Sequence, residues 1–241
     1  MPDNRIIVLA GGKGTRLRPY TASFPKPLVP LGDKPILAIL LGQFAQQGFN
    51  RVTLALGHLA DLIKAYVAQD QALARALDID FIEEREPTGT AGSLAFVPDL
   101  EDTFLVANGD VLTDLDYRAL IEAHRLSGAA LTIATHQKRT RIDFGILEAG
   151  ADARVTNYIE KPEKQIEVSM GVYVYEPRVL RFIDHGAYLD LPDLVHRLLA
   201  AGEQVGVYRN NAFWLDIGRP EDYALAQDMY ETDRSRFGDA A

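Results

Sequence analysis

The chain has 241 residues, of which 47% are hydrophobic and 24% charged, so it is long enough to bury a substantial globular core. Its net charge of −9 argues against general nucleic-acid or membrane-surface binding, and the absence of cysteine excludes disulfides, thiolate catalysis and Cys-ligated metals. No apolar run approaches the roughly 20 residues of a membrane span, and the N-terminus enters a strand without a signal peptide. We therefore expect a cytoplasmic protein with no nucleic-acid or membrane partner.

Short apolar runs alternate with helical patterns through the first half of the chain. Strands are predicted at 5–9, 51–56, 79–82, 103–107 and 129–135, and helices at 58–67 and 116–126. This alternation is typical of a Rossmann-like α/β fold, in which a mostly parallel sheet is flanked by helices. Ligands then bind at the loops that follow the strands.

The second half of the chain has a different order of predicted strands and helices. Strands are predicted at 144–147, 155–159, 172–175 and 205–208, and helices at 191–199 and 220–230. This mixture predicts a small antiparallel lobe that grows out of the same sheet, and the polar residues 233–241 predict a loose tail.

The first strand runs directly into a glycine-rich, basic loop, with the sequence LAGGKGTRLRPYTASFPKPL over residues 9–28. Small residues let backbone N–H groups approach an anion, and the lysines and arginines neutralise it, so the loop predicts a phosphate site. A basic surface turn is the simpler alternative. The spacing matches neither the P-loop nor the dinucleotide fingerprint, because Leu17 stands at the last glycine position of the latter.

The longer pattern identifies a family. Gly11-Gly12-x-Gly14-Thr15-Arg16-Leu17-x-Pro19, followed by Pro25-Lys26-Pro27-Leu28, resembles the sugar-phosphate nucleotidyltransferases, especially members like mannose-1-phosphate guanylyltransferase. The resemblance implies an enzyme that condenses a nucleoside triphosphate with a sugar 1-phosphate, giving an NDP-sugar and pyrophosphate. From this loop it implies nucleotide contacts by Leu9, Ala10, Gly11, Gly12, Gly14, Thr15, Arg16 and Lys26.

Two aspartates follow apolar runs that lie far apart in the sequence. Asp110 ends Asn108-Gly109-Asp110, and Asp216 lies in Phe213-Trp214-Leu215-Asp216. Taken singly, each motif fits a turn, a helix cap or a structural aspartate. The resemblance places the family's metal-binding aspartates at Asp110 and Asp216, so we expect them to hold one Mg²⁺. It also places Asn108 at the nucleotide and Gly109 at the sugar phosphate.

A third set of residues is expected at the sugar. Glu160-Lys161-Pro162 follows the strand at 155–159, and a solvated strand end is the structural alternative. The resemblance assigns Lys161 to the sugar's phosphate and Glu160 to sugar hydroxyls. It adds Gly145, Ser169 and Gly171 to the sugar site. Most relatives have Asn near position 169, so Ser169 points weakly to a sugar other than mannose or glucose.

The stretch Pro87-Thr88-Gly89-Thr90-Ala91-Gly92 resembles the base-reading loop of the family, with Gly89 and Thr90 at the nucleotide. Its form is closer to guanylyl-transferring members, so GTP is favoured, and UTP and dTTP remain alternatives. The structural alternative is a helix N-cap at Thr88 or Thr90, and a helix N-terminus also favours a phosphate.

Catalysis is expected from charges and alignment, because a sugar phosphate is already ionised and needs no protein nucleophile. The catalytic residues implied are Arg16, Lys26, Asp110 and Lys161. No histidine pair has zinc-ligand spacing, and we assign none to catalysis. A kinase or NTPase and a catalytically inactive nucleotide-sugar sensor are the alternative functions.

One domain is expected over residues 1–232. Its nucleotide-binding half covers about 1–136 and its sugar-binding half about 137–232. Because relatives often assemble, a homo-oligomer is a further expectation.

Overall fold

A computed structural model describes residues 5–238 as thirteen strands and seven α-helices. The strands are β1 (Ile6–Ala10), β2 (Pro30–Leu31), β3 (Lys34–Pro35), β4 (Arg51–Leu56), β5 (Asp78–Glu83), β6 (Phe104–Asn108), β7 (Val111–Thr113), β8 (Leu131–Arg141), β9 (Ile146–Ala149), β10 (Val155–Ile159), β11 (Glu163–Tyr175), β12 (Val205–Arg209) and β13 (Trp214–Asp216). The helices are α1 (Ile36–Gln46), α2 (Ala60–Gln69), α3 (Gln71–Ala76), α4 (Gly89–Gly92), α5 (Tyr117–Ser127), α6 (Leu191–Ala200) and α7 (Pro220–Thr232). None of the helices in residues 5–238 is both long and apolar enough to cross a membrane.

A seven-stranded sheet in the order β12-β8-β11-β6-β1-β4-β5 forms the centre of the fold. The pairs β1–β4, β1–β6, β4–β5 and β8–β12 are parallel, whereas β11 runs antiparallel to both β6 and β8. Separate two-stranded antiparallel sheets are formed by β9 with β10, β7 with β13 and β2 with β3. The predicted mostly parallel α/β sheet with a small antiparallel lobe is confirmed.

Helices cover both faces of the sheet because its central strands are apolar on both sides. In β1, Ile6 and Val8 pack into one buried cluster with helices α1, α2, α3 and α5, whereas Ile7 packs into another with α4 and α6. Successive strand side chains point to opposite faces, so a continuous apolar run places a core on each face. Because β1, β4, β5 and β6 run parallel to one another, their carboxyl ends share one edge of the sheet.

Most predicted elements are present, and the largest omission is α1. The strands predicted at 51–56 and 155–159 have the observed bounds. The strand predicted at 172–175 is part of the longer β11, and the one predicted at 129–135 overlaps the first half of β8, which begins at residue 131. The strand predicted at 144–147 lies at Ile146–Ala149. Helix α1 was not predicted because its first six residues are all buried, which leaves no polar face for a helical periodicity to reveal.

The predicted division into halves at residue 136 falls inside β8, in the middle of the sheet. Strands that precede and strands that follow that position belong to the same seven-stranded sheet. The nucleotide-binding and sugar-binding halves therefore stay a prediction about function and do not correspond to separate sheets.

The expectation of a loose tail from residue 233 is wrong for the described part, 233–238. A 3-10 helix at Arg234–Phe237 packs against the body, and Phe237 is 1% exposed. Its ring contacts those of Phe213 and Tyr230 at centroid distances of 5.6 and 6.0 Å. Apolar anchoring overrides the polar composition of the segment; residues 239–241 lie outside the described part.

A buried histidine links α5 to the sheet. His124 Nδ1 lies 2.8 Å from Thr132 Oγ1, and its Nε2 lies 3.1 Å from Glu176 Oε1. Burial lowers the pKa of His124 below the ordinary 6.5, and the hydrogen bond with Glu176 opposes this only in part. The neutral ring therefore serves as a structural connector.

Substituting Phe237→Ala should lower the free energy of unfolding by about 3 kcal/mol, the usual cost of removing a buried ring. Chemical denaturation measures this, with the exposed Leu126→Ala as a control that should stay near wild type. A loss below about 0.5 kcal/mol, the range of surface substitutions, would show that the segment is loose after all.

Wild-type stability should fall as the pH drops from about 7.5 to about 5.5, because the unfolded His124 takes up a proton that the folded ring, with its lowered pKa, resists. The stabilisation is complete above the unfolded pKa and is lost below it. In His124→Gln the melting temperature should fall less over the same range. Equal falls in both proteins would contradict this role.

Candidate active site

A cavity of about 840 Å³ opens at the carboxyl edge of the parallel strands. Its walls come from the ends of β1, β4, β5 and β6 and the loops that follow them, which is where an α/β sheet is expected to bind a ligand. The predicted residues that line it are Leu9, Ala10, Gly11, Gly12, Gly14, Thr15, Arg16, Lys26, Gly89, Thr90, Asn108, Gly109 and Asp110.

The glycine-rich loop is held in place by its own backbone and by one buried anchor. Gly14 has a φ of +58°, and a Cβ there would lie 3.0 Å from Lys26 Cβ. Thr21 Oγ1 and Leu17 N both donate to the Gly14 carbonyl, and Leu17 is fully buried. Glycine at position 14 therefore lets the loop pack directly against Lys26.

Lys26 is the central cation of the site. It is only 8% exposed, and its Nζ donates to Asp110 Oδ2 and lies 3.9 Å from Asp216 Oδ1. Arg16 is exposed on the cavity wall, close enough for its charge to act on Asp216. The cations of the amino-terminal loop and the two distant aspartates therefore meet in one place.

Strand pairing brings the two aspartates together across the chain. The short strand β7 begins directly after Asp110 and pairs antiparallel with β13, which ends at Asp216. Asp216 lies opposite Val111 in this pairing, and Ile217 N donates to the Asp110 carbonyl at 3.3 Å. This explains how two motifs more than a hundred residues apart form one site.

The two carboxylates are suited to a divalent cation. Asp110 Oδ1 is buried and has no hydrogen-bond partner. Burial first, and then the charge of Asp110, raises the pKa of Asp216, while Lys26 and Arg16 oppose the rise. No group of three or more His, Asp or Glu side chains in residues 5–238 forms a closed metal cage. Two carboxylates fit Mg²⁺, which is usually held by one or two carboxylates plus substrate oxygens.

Hydrogen bonds that no sequence motif indicates hold the loop after β5 in place. Glu84 Oε2 accepts hydrogen bonds from Thr88 N at 2.8 Å and from Thr88 Oγ1 at 2.5 Å. The amides of Ala91 and Gly92 donate to the Leu189 carbonyl, both at 3.0 Å. These two amides are therefore already hydrogen-bonded within the protein, and a phosphate at this helix end stays a prediction.

The cavity-lining residues that were not predicted include Glu84, Tyr188 and Asp190. Glu84 follows β5 directly, and the position of a carboxylate at a strand end was a signal in the sequence. Tyr188 and Asp190 lie in the loop before α6, where no sequence motif marks them.

Part of the predicted sugar site adjoins the cavity. Gly171 has a φ of +74°, and a Cβ there would lie 2.7 Å from Asn108 Nδ2. Ser169 Oγ accepts from Gly171 N and donates to Tyr173 OH at 3.1 Å. Burial, reinforced by the charges of the two aspartates, raises the pKa of Tyr173, although its hydrogen bond with Ser169 opposes this.

The rest of the predicted sugar site forms a separate exposed cluster on β10 and the neighbouring turns. Glu160 accepts from Tyr158 OH at 2.8 Å, and Lys161 Nζ lies 3.9 Å from Glu160 Oε1. A Cβ on Gly145 would lie 3.1 Å from Glu160 Oε2. In the described part of the chain, these three residues are not among those that line the cavity.

Comparisons with known proteins show which family this chain belongs to. A family model described as nucleotidyl transferase matches residues 5–233. A UTP–glucose-1-phosphate uridylyltransferase from Synechocystis sp. is 32% identical over 91% of this chain and 61% of the relative. A mannose-1-phosphate guanylyltransferase from Mycobacterium tuberculosis is 34% identical over 90% of this chain and 62% of the relative. The chain thus spans about three fifths of the length of these curated relatives.

Among solved structures, HddC from Yersinia pseudotuberculosis superposes with a TM-score of 0.73 and 28% identity, over 94% of this chain and 99% of that chain. A second structure of HddC contains GMP-PN and superposes with a TM-score of 0.71.

Because Gly14 packs against Lys26, adding a methyl group at position 14 should lower the stability of the protein. Gly14→Ala should lose about 1–3 kcal/mol of stability to crowding, in addition to the cost of a positive φ. Gly128→Ala is the matched control, because its φ is +68° but nothing lies within 4 Å of the added Cβ. Thermal unfolding compares the two, and equal losses would contradict the packing of Gly14 on Lys26.

Proposed function

The chain belongs to the nucleotidyl transferase family, and we propose that it joins a nucleoside triphosphate to a sugar 1-phosphate, giving an NDP-sugar and pyrophosphate. Its relatives of about a third identity carry names for this reaction with different nucleotides and sugars. The observation that carries the proposal is the meeting of Lys26, Asp110 and Asp216 beside a glycine-rich loop.

The reaction follows from charge and alignment. An oxygen of the sugar phosphate attacks the α-phosphorus of the triphosphate in line, a new P–O bond forms, and the bond to the pyrophosphate oxygen breaks. Two anions must approach each other, so the chief barrier for the protein to lower is their repulsion. Lys26, buried between the aspartates, is placed to bridge the two phosphates, and the exposed Arg16 is placed to hold the leaving pyrophosphate.

Asp110 and Asp216 are the residues that would hold Mg²⁺, since Asp110 Oδ1 is buried without a partner. When bound, the ion supplies positive charge to the α-phosphate oxygens. Lys26 would bind phosphate beside the two aspartates, since its Nζ lies next to both carboxylates.

GTP is the triphosphate that we favour. The carboxylate of Glu84 lines the cavity together with Gly89 and Thr90. Guanine presents two neighbouring N–H donor groups on its pairing edge, whereas uracil and thymine present one N–H between two carbonyl oxygens. An acidic wall favours the edge with more donors, and the HddC structure with GMP-PN is consistent with this choice.

The sugar phosphate is assigned to the side of the cavity formed by Asn108 and Gly109, which Gly171 adjoins, with Ser169 nearby. Lys161, with Glu160 and Gly145, lies on the exposed cluster at β10. We propose that this cluster contacts the sugar phosphate after it enters, with Lys161 supplying the third cation.

Removing one preorganised charge should lower turnover on the order of 10²-fold or more while the fold stays intact. Arg16→Ala and Asp110→Asn test this by the rate of pyrophosphate release. Asp61→Asn is the control, because the Asp61 side chain is 99% exposed on α2. Wild-type rates in either site variant would remove that residue from the mechanism.

The nucleotide and the sugar are identified by assaying the four common triphosphates against a panel of sugar 1-phosphates. We expect pyrophosphate release with GTP to exceed that with UTP, dTTP or ATP. Release of orthophosphate would indicate a kinase or NTPase, and nucleotide-sugar binding without any turnover would indicate a sensor.

A further inference from the structure

The loop before α6, residues 187–190, packs directly on the base-reading loop after β5, and we call it the clasp loop. Leu189 N donates to the Thr88 carbonyl at 2.8 Å, and the Leu189 carbonyl accepts from Ala91 N and Gly92 N. A Cβ on Gly92 would lie 2.7 Å from the Ala187 carbonyl, so glycine allows this approach. The base-reading loop is thus held by a segment about a hundred residues away.

Asp190 and Thr90 extend this contact by capping each other's helices. Asp190 Oδ1 accepts from Thr90 N at 3.0 Å and from Thr90 Oγ1 at 3.3 Å. In return, Thr90 Oγ1 accepts from Leu191 N, at the start of α6, at 2.8 Å. Neither Asp190 nor Thr88 caps its own helix with its side chain. The two helix ends are therefore fixed relative to each other.

The same carboxylate holds an aromatic ring in the cavity wall. Tyr188 OH donates to Asp190 Oδ2 at 2.7 Å, while the tyrosine remains 64% exposed. Tyr188 lines the cavity together with Gly89 and Thr90. An aromatic ring that is exposed yet tethered is preorganised for stacking, because a ligand would not have to fix it first.

Resting on the proposed function, we propose that Tyr188 is a nucleobase-contact residue on which the base of the triphosphate stacks. Asp190 is then a positioning residue, which holds the ring at a fixed place relative to Gly89 and Thr90. The phosphate end of the nucleotide lies with Lys26 and Arg16, on other segments of the cavity wall. A contact with the base alone should therefore be separable from binding of the phosphates.

Calorimetric titration with GTP, UTP and inorganic tripolyphosphate, in the presence of Mg²⁺, separates the base from the phosphates. Tyr188→Ala should weaken the tighter-binding nucleotide about tenfold, the effect of losing one base–aromatic stacking contact. Tripolyphosphate, which has no base, should bind as it does to wild type. Tyr188→Phe keeps the ring, so its loss of nucleotide affinity should be smaller. The control Leu126→Ala, at an exposed position, should bind every ligand as the wild type does.

Unchanged nucleotide binding in Tyr188→Ala, or an equal loss for nucleotide and tripolyphosphate, would overturn the assignment. If the wild-type protein nevertheless releases pyrophosphate, only this inference fails and the proposed function stands. A wild-type protein that neither binds a nucleotide nor releases pyrophosphate would overturn both.

The role of Asp190 is tested by steady-state kinetics. Asp190→Ala should raise KM for the triphosphate several-fold, with a smaller effect on KM for the sugar phosphate. Asp190→Asn keeps an acceptor for Thr90, so its KM for the triphosphate should be close to that of the wild type. Equal changes in both KM values, or no rescue by asparagine, would reduce Asp190 to a structural residue.

Discussion

A buried ammonium group shared by two carboxylates is the interaction on which this site depends. Burying a charge costs several kcal/mol unless it is paired, and Asp110 and Asp216 supply that pairing for Lys26. Burial first, and then repulsion from Asp110, raises the pKa of Asp216, and Lys26 opposes both effects. Each charge therefore lowers the cost of burying the others.

The cluster exists because distant parts of the chain close on one another. The pairing of β7 with β13 aligns the two aspartates, and a buried apolar group beneath them includes Leu17, Leu112, Ile217 and Phe237. The last of these belongs to the terminal segment, so the end of the described chain helps to support the basic loop near its beginning. In the same way, the clasp loop holds the loop that follows β5. The site is thus a product of the whole fold.

The sequence predicted the parts of the protein whose signals are local. Strand and helix periodicities located most elements, and the glycine-rich loop with its cations located the cavity. Helix α1 was missed because it is buried on most sides, and the packing of Phe237 was missed because its ring partners are remote. The clasp loop could not be foreseen, since its hydrogen bonds join residues with no shared motif. The family resemblance indicated which residues to expect at the sugar, but the exposed cluster that Gly145, Glu160 and Lys161 form depends on tertiary contacts that the sequence does not reveal.

The most direct test of the central claim is a crystal structure with Mn²⁺ and a non-hydrolysable GTP analogue. We expect one anomalous Mn²⁺ peak that contacts Asp110, Asp216 and the α-phosphate, with the Lys26 ammonium moved from Asp110 to the phosphates. A bound analogue with Lys26 still on Asp110, and with no metal between the aspartates, would contradict this claim.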